Sequence, residues 1–160
     1  EVVAVTLPIA KQAEADREML SVQTVAETAA AGELAVTGSG PVIEALAQGR
    51  VSHLVLNEDF HEDGWADFAN QRYGTGDATD DRGELFTGSV DEFEAGPIVL
   101  QEEMVRLAIA TSAEIDVIHT GVEVDYDDPD TDIPDAGSAP RSEAATQLDE
   151  LGGVAALLRY

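Results

Sequence analysis

Between residues 10 and 31 the apolar residues Met19, Val22, Ala26 and Ala29 recur at helical spacing, with charged residues between them and Gly32 behind. That period predicts a helix over 10–31 with the glycine as its stop. Leu34-Ala35-Val36 reads as a short strand, and Gly38-Ser39-Gly40-Pro41 as a turn in which Pro41 suits a first helical position. Val42, Ala45 and Leu46 then form the inner face of a short helix ended by Gly49. Val51 to Leu56 is an apolar run of strand length, as expected of a buried sheet element. After a break, Ile98 to Ala110 predicts an amphipathic or largely buried helix and Ile115 to His119 a strand. Ser142 to Leu151 predicts a helix capped by Ser142, and Val154 to Tyr160 a last strand.

Two stretches carry no sustained period. Residues 61–96 are rich in Gly, Asp and Thr, with Trp65, Phe68, Tyr73, Phe86 and Phe93 scattered among them. A plain linker has no use for those aromatics, so this segment reads as an insertion or minidomain. Asp125 to Pro140 is an acidic loop with prolines at 129, 134 and 140. The remaining order of helices and strands predicts an α/β fold over 1–160: one sheet of about four strands with helices on both faces. The length is ample for a single core.

Charge changes the picture. The chain holds 33 acidic and 8 basic residues, a formal net charge of −25, and Lys11 is its sole lysine. Such acidity usually signals disorder, yet 44% of the residues are hydrophobic and they fall in periodic blocks. The combination predicts a folded domain adapted to multimolar salt, a halophilic source, where screening suppresses self-repulsion. Net charge alone makes nucleic acid a poor partner. With no cysteine there is no disulfide, thiolate zinc site or cysteine nucleophile. No apolar run reaches the roughly 20 residues of a membrane span and no signal peptide is visible, which predicts a cytoplasmic protein. A start at Glu1 without Met predicts a piece of a longer polypeptide.

Two stretches resemble one family. The first is Gly38-x-x-x-Val42-x-x-Ala45-Leu46-x-x-Gly49-x-Val51-x-x-Leu54, running on to Glu58-Asp59-Phe60. The second is Ser142-Glu143 with Gln147-Leu148, then Gly152-Gly153-Val154-Ala155-Ala156-Leu157-Leu158-Arg159-Tyr160. Both are similar to the third, C-terminal domain of the archaeal and eukaryotic class 1 peptide chain release factors, which is shared with Pelota. The resemblance implies a three-layer α/β/α sandwich with a mixed sheet, of the kind found in kink-turn-binding ribosomal proteins. It also implies a non-catalytic role in translation termination: docking a translational GTPase related to elongation factor 1 alpha, and reaching the ribosome through a longer parent. The Gly-Gly-Gln that triggers peptide release in that family lies in another domain and does not occur here. Archaeal members often carry a cysteine-rich zinc minidomain at the place of 61–96; without cysteine, zinc is not expected. The insertion and the long acidic loop keep a Pelota-like or divergent bacterial–archaeal ribosome-rescue paralogue open beside the termination factor.

Candidate chemistry is sparse. Gly38-Ser39-Gly40 lacks the third glycine of a dinucleotide fingerprint and the lysine of a phosphate loop, so it reads as a tight turn. Kink-turn binders carry Gly-x-Asn-Glu and a lysine at this turn; Gly38-Ser39-Gly40-Pro41-Val42-Ile43-Glu44 has neither the Asn nor a cation, which makes an RNA-binding module of this fold the weaker alternative. Asp128, Asp130 and Asp132 have alternate spacing like a calcium loop, but Ile133 replaces its glycine and Ala139 its bidentate Glu. His61-Glu62-Asp63 also invites a metal, though His53, His61 and His119 show no metal-site spacing. His53 and His119 are expected to be structural. A Ser39 hydrolase triad lacks any nucleophile-elbow pattern. No catalytic residue, cofactor or metal is expected. Partner-binding candidates are Trp65, Phe68 and Tyr73, because aromatics dominate interface hot spots, with the insertion's own small core as their alternative use. Arg159 and Tyr160 join them, Arg159 being expected to pair with a carboxylate.

Overall fold

The computed structural model describes residues 2–76, 95–121 and 140–160, and for 2–8 and 95 the backbone alone. In chain order the elements are α1 (Val2–Ala30), β1 (Ala35–Thr37), α2 (Ser39–Ala47), β2 (Val51–Asn57), β3 (Asp63–Asp67), β4 (Arg72–Thr75), β5 (Ala95–Val99), α3 (Leu100–Ala110), β6 (Glu114–Ile118), α4 (Glu143–Glu150) and β7 (Val154–Leu158). None of the described helices is long and apolar enough to cross a membrane.

Four strands make a mixed sheet in the order β1-β7-β2-β6. β7 pairs antiparallel with both β1 and β2, while β2 and β6 run parallel. Alternation along β2 and β7 sends side chains to two separate cores. Leu54, Leu56, Val154 and Ala156 point into a core with Val42, Ile43, Ala45 and Leu46 of α2 and Leu100, Met104 and Ala108 of α3. Val55 and Ala155 point the other way, into a core with Val22 and Val25 of α1 and Ala144, Ala145 and Leu148 of α4. This is the three-layer α/β/α sandwich with a mixed four-stranded sheet. Val51 shares a face with Leu54 and Leu56, against simple alternation. The register explains it: Val51 pairs with Leu158 and His53 with Leu157, so Ser52 is the extra residue of a bulge.

The helices end alike. Glu33 N–H bonds Thr28 O, Arg50 bonds Ala45 O, Ala113 bonds Ala108 O and Gly153 bonds Leu148 O, the six-to-one bond of a Schellman turn in each case. Gly32 and Gly49 are the stops their positions predict; α3 instead turns at Ser112, with φ +56°. Ser142 caps α4 by accepting from Ala145 N–H at 3.2 Å.

Three expectations are corrected. The first helix begins at Val2, not 10; its buried positions start only at Glu18, and residues 9–17 are all exposed, so no buried stripe reaches back to mark where the helix starts. Pro41 is the third residue of α2, not the first, still within the turn whose N–H groups lack helical partners. Ile98 and Val99 belong to β5, not to α3.

The patternless segment after Phe60 contributes β3 and β4, which join β5 in an antiparallel sheet of order β4-β3-β5. Its alternation is hidden by two glycines placed where backbone and side chains meet closely. A Cβ on Gly64 would lie 2.5 Å from Gly74 O and 2.7 Å from Leu100; one on Gly74 would lie 2.4 Å from the Trp65 indole. The part of the insertion at 77–94, with Phe86 and Phe93, lies outside the described residues, as do 125–139 of the acidic loop.

Candidate interaction surface

The five predicted partner-binding residues fall into two clusters, both touching α3. In the first, Trp65 of β3 and Gly74 of β4 face each other across the strand pair. Phe68, 55% exposed just beyond β3, stands edge-on to Tyr73 at 6.3 Å between ring centroids. Tyr73 is half-buried and packs against the α2–α3 core. Burial, with the Glu103 charge beside it, pushes its phenol above the ordinary value. Arg106 holds Glu103 from the next turn of α3 in a bidentate pair. The aromatics therefore divide: Tyr73 is tied to the main core and Trp65 covers Gly74, leaving Phe68 as the exposed ring.

The second cluster sits where β7 ends and β2 begins. Arg159 donates to Thr111 O at 2.6 Å, a backbone carbonyl at the C-terminus of α3, not the carboxylate its sequence context suggests. Helix ends leave such carbonyls short of donors, which makes them good partners for a guanidinium. Arg50 donates twice to Tyr160 O, at 3.1 and 2.8 Å, and its guanidinium lies 5.9 Å from the Tyr160 ring centre. Tyr160 is 65% exposed, and Ile109, one helical step before Ala110, is 67% exposed. Two arginines bonded to main-chain oxygens, joined by Arg159 N–H to Arg50 O at 2.7 Å, thus sit beside the exposed Tyr160 ring in a chain of net charge −25. Between Arg106 and Thr111 the helix rises only about 7.5 Å, so one helix spans both clusters.

Arg50 and Ile109 were not among the sequence candidates. Arg50 could have been noticed as one of seven arginines in an acidic chain; nothing in the sequence marks Ile109 as outward-facing.

Polar pairs on the other face hold the layers together. Asp116 of β6 accepts from Ser21 Oγ at 2.6 Å and lies 2.9 Å from His53 Nε2. The carboxylate stands between hydroxyl and imidazole, so the imidazole is not placed to take a proton from this serine. His119 Nδ1 lies 2.5 Å from Glu18 Oε1 of α1, and its backbone N–H reaches Oε2 of the same carboxylate at 3.3 Å. The Glu18 hydrogen bond, reinforced by charges on Glu18, Glu58 and Glu14, raises the His119 pKa. Both histidines join elements distant in sequence, in keeping with structural roles. The Gly38 turn is tied to the sheet by Gly38 N–H to Val154 O at 2.9 Å. Residues Glu62 and Asp63 of the His61-Glu62-Asp63 run use their carbonyls to hold Leu100 and Gly76, at 2.9 Å each.

No protein-family model and no curated protein sequence matches the chain. Solved structures share its fold. The C-terminal domain of a peptide chain release factor from Methanosarcina mazei is similar over 100% of this chain and 92% of that one, with TM-score 0.59 and 16% identity. Pelota from Archaeoglobus fulgidus is similar over 96% of this chain with TM-score 0.55 and 16% identity. The chain spans 32% of the length of that Pelota. Its fold is thus that of the release-factor and Pelota C-terminal domain.

Proposed function

We propose that residues 1–160 form one non-catalytic interaction domain of a release-factor-type protein, which docks a translational GTPase related to elongation factor 1 alpha during termination. The observation that carries the reading is the two-way coverage: the likeness to a release-factor C-terminal domain spans 100% of this chain and 92% of that domain. The sequence stretches from Gly38 to Phe60 and from Ser142 to Tyr160 supply the same likeness independently. They lie on α2, β2, α4 and β7, the elements that build both cores. Parent-level contacts with the ribosome, a cytoplasmic location and a halophilic source belong to this reading. The likeness to Pelota, at the same 16% identity and a TM-score of 0.55, favours one second reading, the same adaptor role in ribosome rescue.

The docking surface in this reading is the α3 rim: Phe68 with Trp65 and Tyr73 on one side, Arg159 and Tyr160 with Arg50 on the other. Exposed aromatics and arginines are the residue types that anchor interfaces. The test is calorimetric titration with the source organism's GTPase, loaded with a GTP analogue, in about 2–3 M KCl, where an acidic halophilic chain is well screened. Micromolar or tighter binding, weakened by Arg159→Glu and by Phe68→Ala, is expected. No heat from a domain shown to be folded in that buffer removes the docking claim. Binding that both variants leave unchanged moves the surface elsewhere.

A further inference from the structure

We infer that Glu14, Glu18 and His119 form a binding site for one divalent transition-metal cation, of the zinc, cobalt or nickel class, at the junction of α1 and the end of β6. Among the described residues these three are the group of histidine and carboxylate side chains whose potential ligand atoms all lie within 4.8 Å of one another. Glu14 and Glu18 stand four residues apart, so they share one face of α1. His119 enters from the residue just after β6. A cation bound at about 2.0–2.2 Å to each ligand atom holds those atoms roughly 3–4 Å apart. It would replace the proton between Glu18 Oε1 and His119 Nδ1, now 2.5 Å apart, and widen that contact while Glu14 moves inward.

The electrostatics of the site favour such an occupant. Like charges at i and i+4 on a helix repel, and Glu58 adds a third carboxylate close enough to act on the His119 ring. One imidazolium offsets only one of these three charges. A divalent cation offsets two and leaves the imidazole neutral, as metal ligation requires. Geometry supplies support as well. Glu18 is largely buried, and its second oxygen faces the His119 backbone N–H at 3.3 Å, which orients the carboxylate. Glu58 accepts from Thr120 N–H and Oγ1, both at 2.8 Å, fixing the chain next to the histidine. Outer contacts of this kind orient ligands and sustain affinity. Glu14 and His119 are exposed, which leaves a path for entry and room for water in the remaining positions. One nitrogen and two oxygens suit zinc, cobalt or nickel better than magnesium, which prefers oxygen alone and keeps its waters.

The test uses the chain stripped of metal by chelator and titrated with Co²⁺ or Zn²⁺ in about 1 M KCl, where a Debye length near 3 Å suppresses loose ion condensation on the acidic surface. One ion per chain is expected, with Co²⁺ broadening the His119 ring signals in NMR and equimolar Mg²⁺ failing to compete. His119→Ala abolishes binding but also removes the partner of a buried carboxylate, so Glu14→Gln is the cleaner variant. In a Glu14→Gln chain whose circular dichroism matches the parent, affinity falls by about tenfold or more, at least the loss expected for a supporting outer contact. Absence of saturable binding, or saturable binding that Glu14→Gln leaves unchanged, overturns the site.

Discussion

Gly74 lies directly beneath the Trp65 indole, paired with it across the β3–β4 ladder, and a Cβ added to Gly74 would come 2.4 Å from the ring. The glycine is there because the ring is there. Gly74→Ala must push the indole aside or open the strand pair, at a cost of about 1–3 kcal/mol typical of overpacking. Since Trp65 is the only tryptophan, its fluorescence reports the change directly. A lower melting temperature with a red-shifted emission is expected; unchanged emission and stability would show that the indole does not cover this strand.

Ser112 holds φ +56° at the turn that ends α3, a conformation that favours glycine. Left-handed backbone costs a side-chain-bearing residue about 1–2 kcal/mol, partly offset by the about 0.5–1 kcal/mol of extra entropy that glycine loses on folding. Ser112→Gly is therefore expected to raise stability by up to about 1.5 kcal/mol in denaturant melts, the difference between the two terms. A clear loss of stability contradicts the turn geometry.

Arg141 clamps two carboxylates, reaching Asp59 through both terminal nitrogens at 2.7 and 3.0 Å and Asp149 through Nε. It thereby ties the segment after β2 to both ends of α4. All three groups are partly exposed, so Arg141→Lys, which loses the bidentate geometry, should cost no more than about 1 kcal/mol at low salt. The penalty should shrink in molar KCl. A salt-independent penalty of several kcal/mol would mean the clamp is buried in solution.

Acid should unfold the chain from the carboxylates. Asp59 titrates below the ordinary value because Arg141 bonds it, and Asp67 because the Asn70 side chain donates to it at 2.8 Å. A carboxyl depressed in the folded state adds stability above its unfolded pKa of about 3.9. That stability is lost as pH falls from there through the folded values. Asn70→Ala should move the Asp67 titration upward in a carboxyl NMR experiment and flatten the acid limb of the stability curve. An unmoved Asp67 titration contradicts the assigned cause.

Asn57 is buried at the end of β2 and donates to Ala145 O at 3.1 Å and to Asp149 Oδ1 at 2.7 Å. It links sheet to α4 through the buried Ala145 carbonyl and through the partly exposed Asp149. Asn57→Ala leaves a buried carbonyl without its donor and should cost about 1–3 kcal/mol. A shift within error of zero in the denaturation midpoint would mean that water replaces the amide.

The layer order was legible because burial imprints periodicity. Val42, Ala45 and Leu46 mark one face of α2, and Val51 to Leu56 marks a central strand, since both must exclude water in any fold they join. Gly49 and Ser142 marked helix ends through local backbone chemistry alone. Where packing is absent or unusual, the signal fades. Residues 9–17 of α1 face solvent and carry no stripe; β3 and β4 hide their alternation behind Gly64 and Gly74. The bulge at Ser52, which puts Val51 on the face of Leu54, appears only once β7 is aligned beside β2.

Side-chain meetings were decided by tertiary structure throughout. Chain spacing separates Glu18 from His119 and Arg159 from Thr111, and no local rule says that each pair will touch. The sequence by itself determined the class of fold, the likeness carried by two stretches and the absence of cysteine chemistry, because these follow from composition and short-range period. The site at α1 and His119, the arginines at the α3 end and the core role of Tyr73 arise from strand order and helix placement, which set distances that no linear spacing contains.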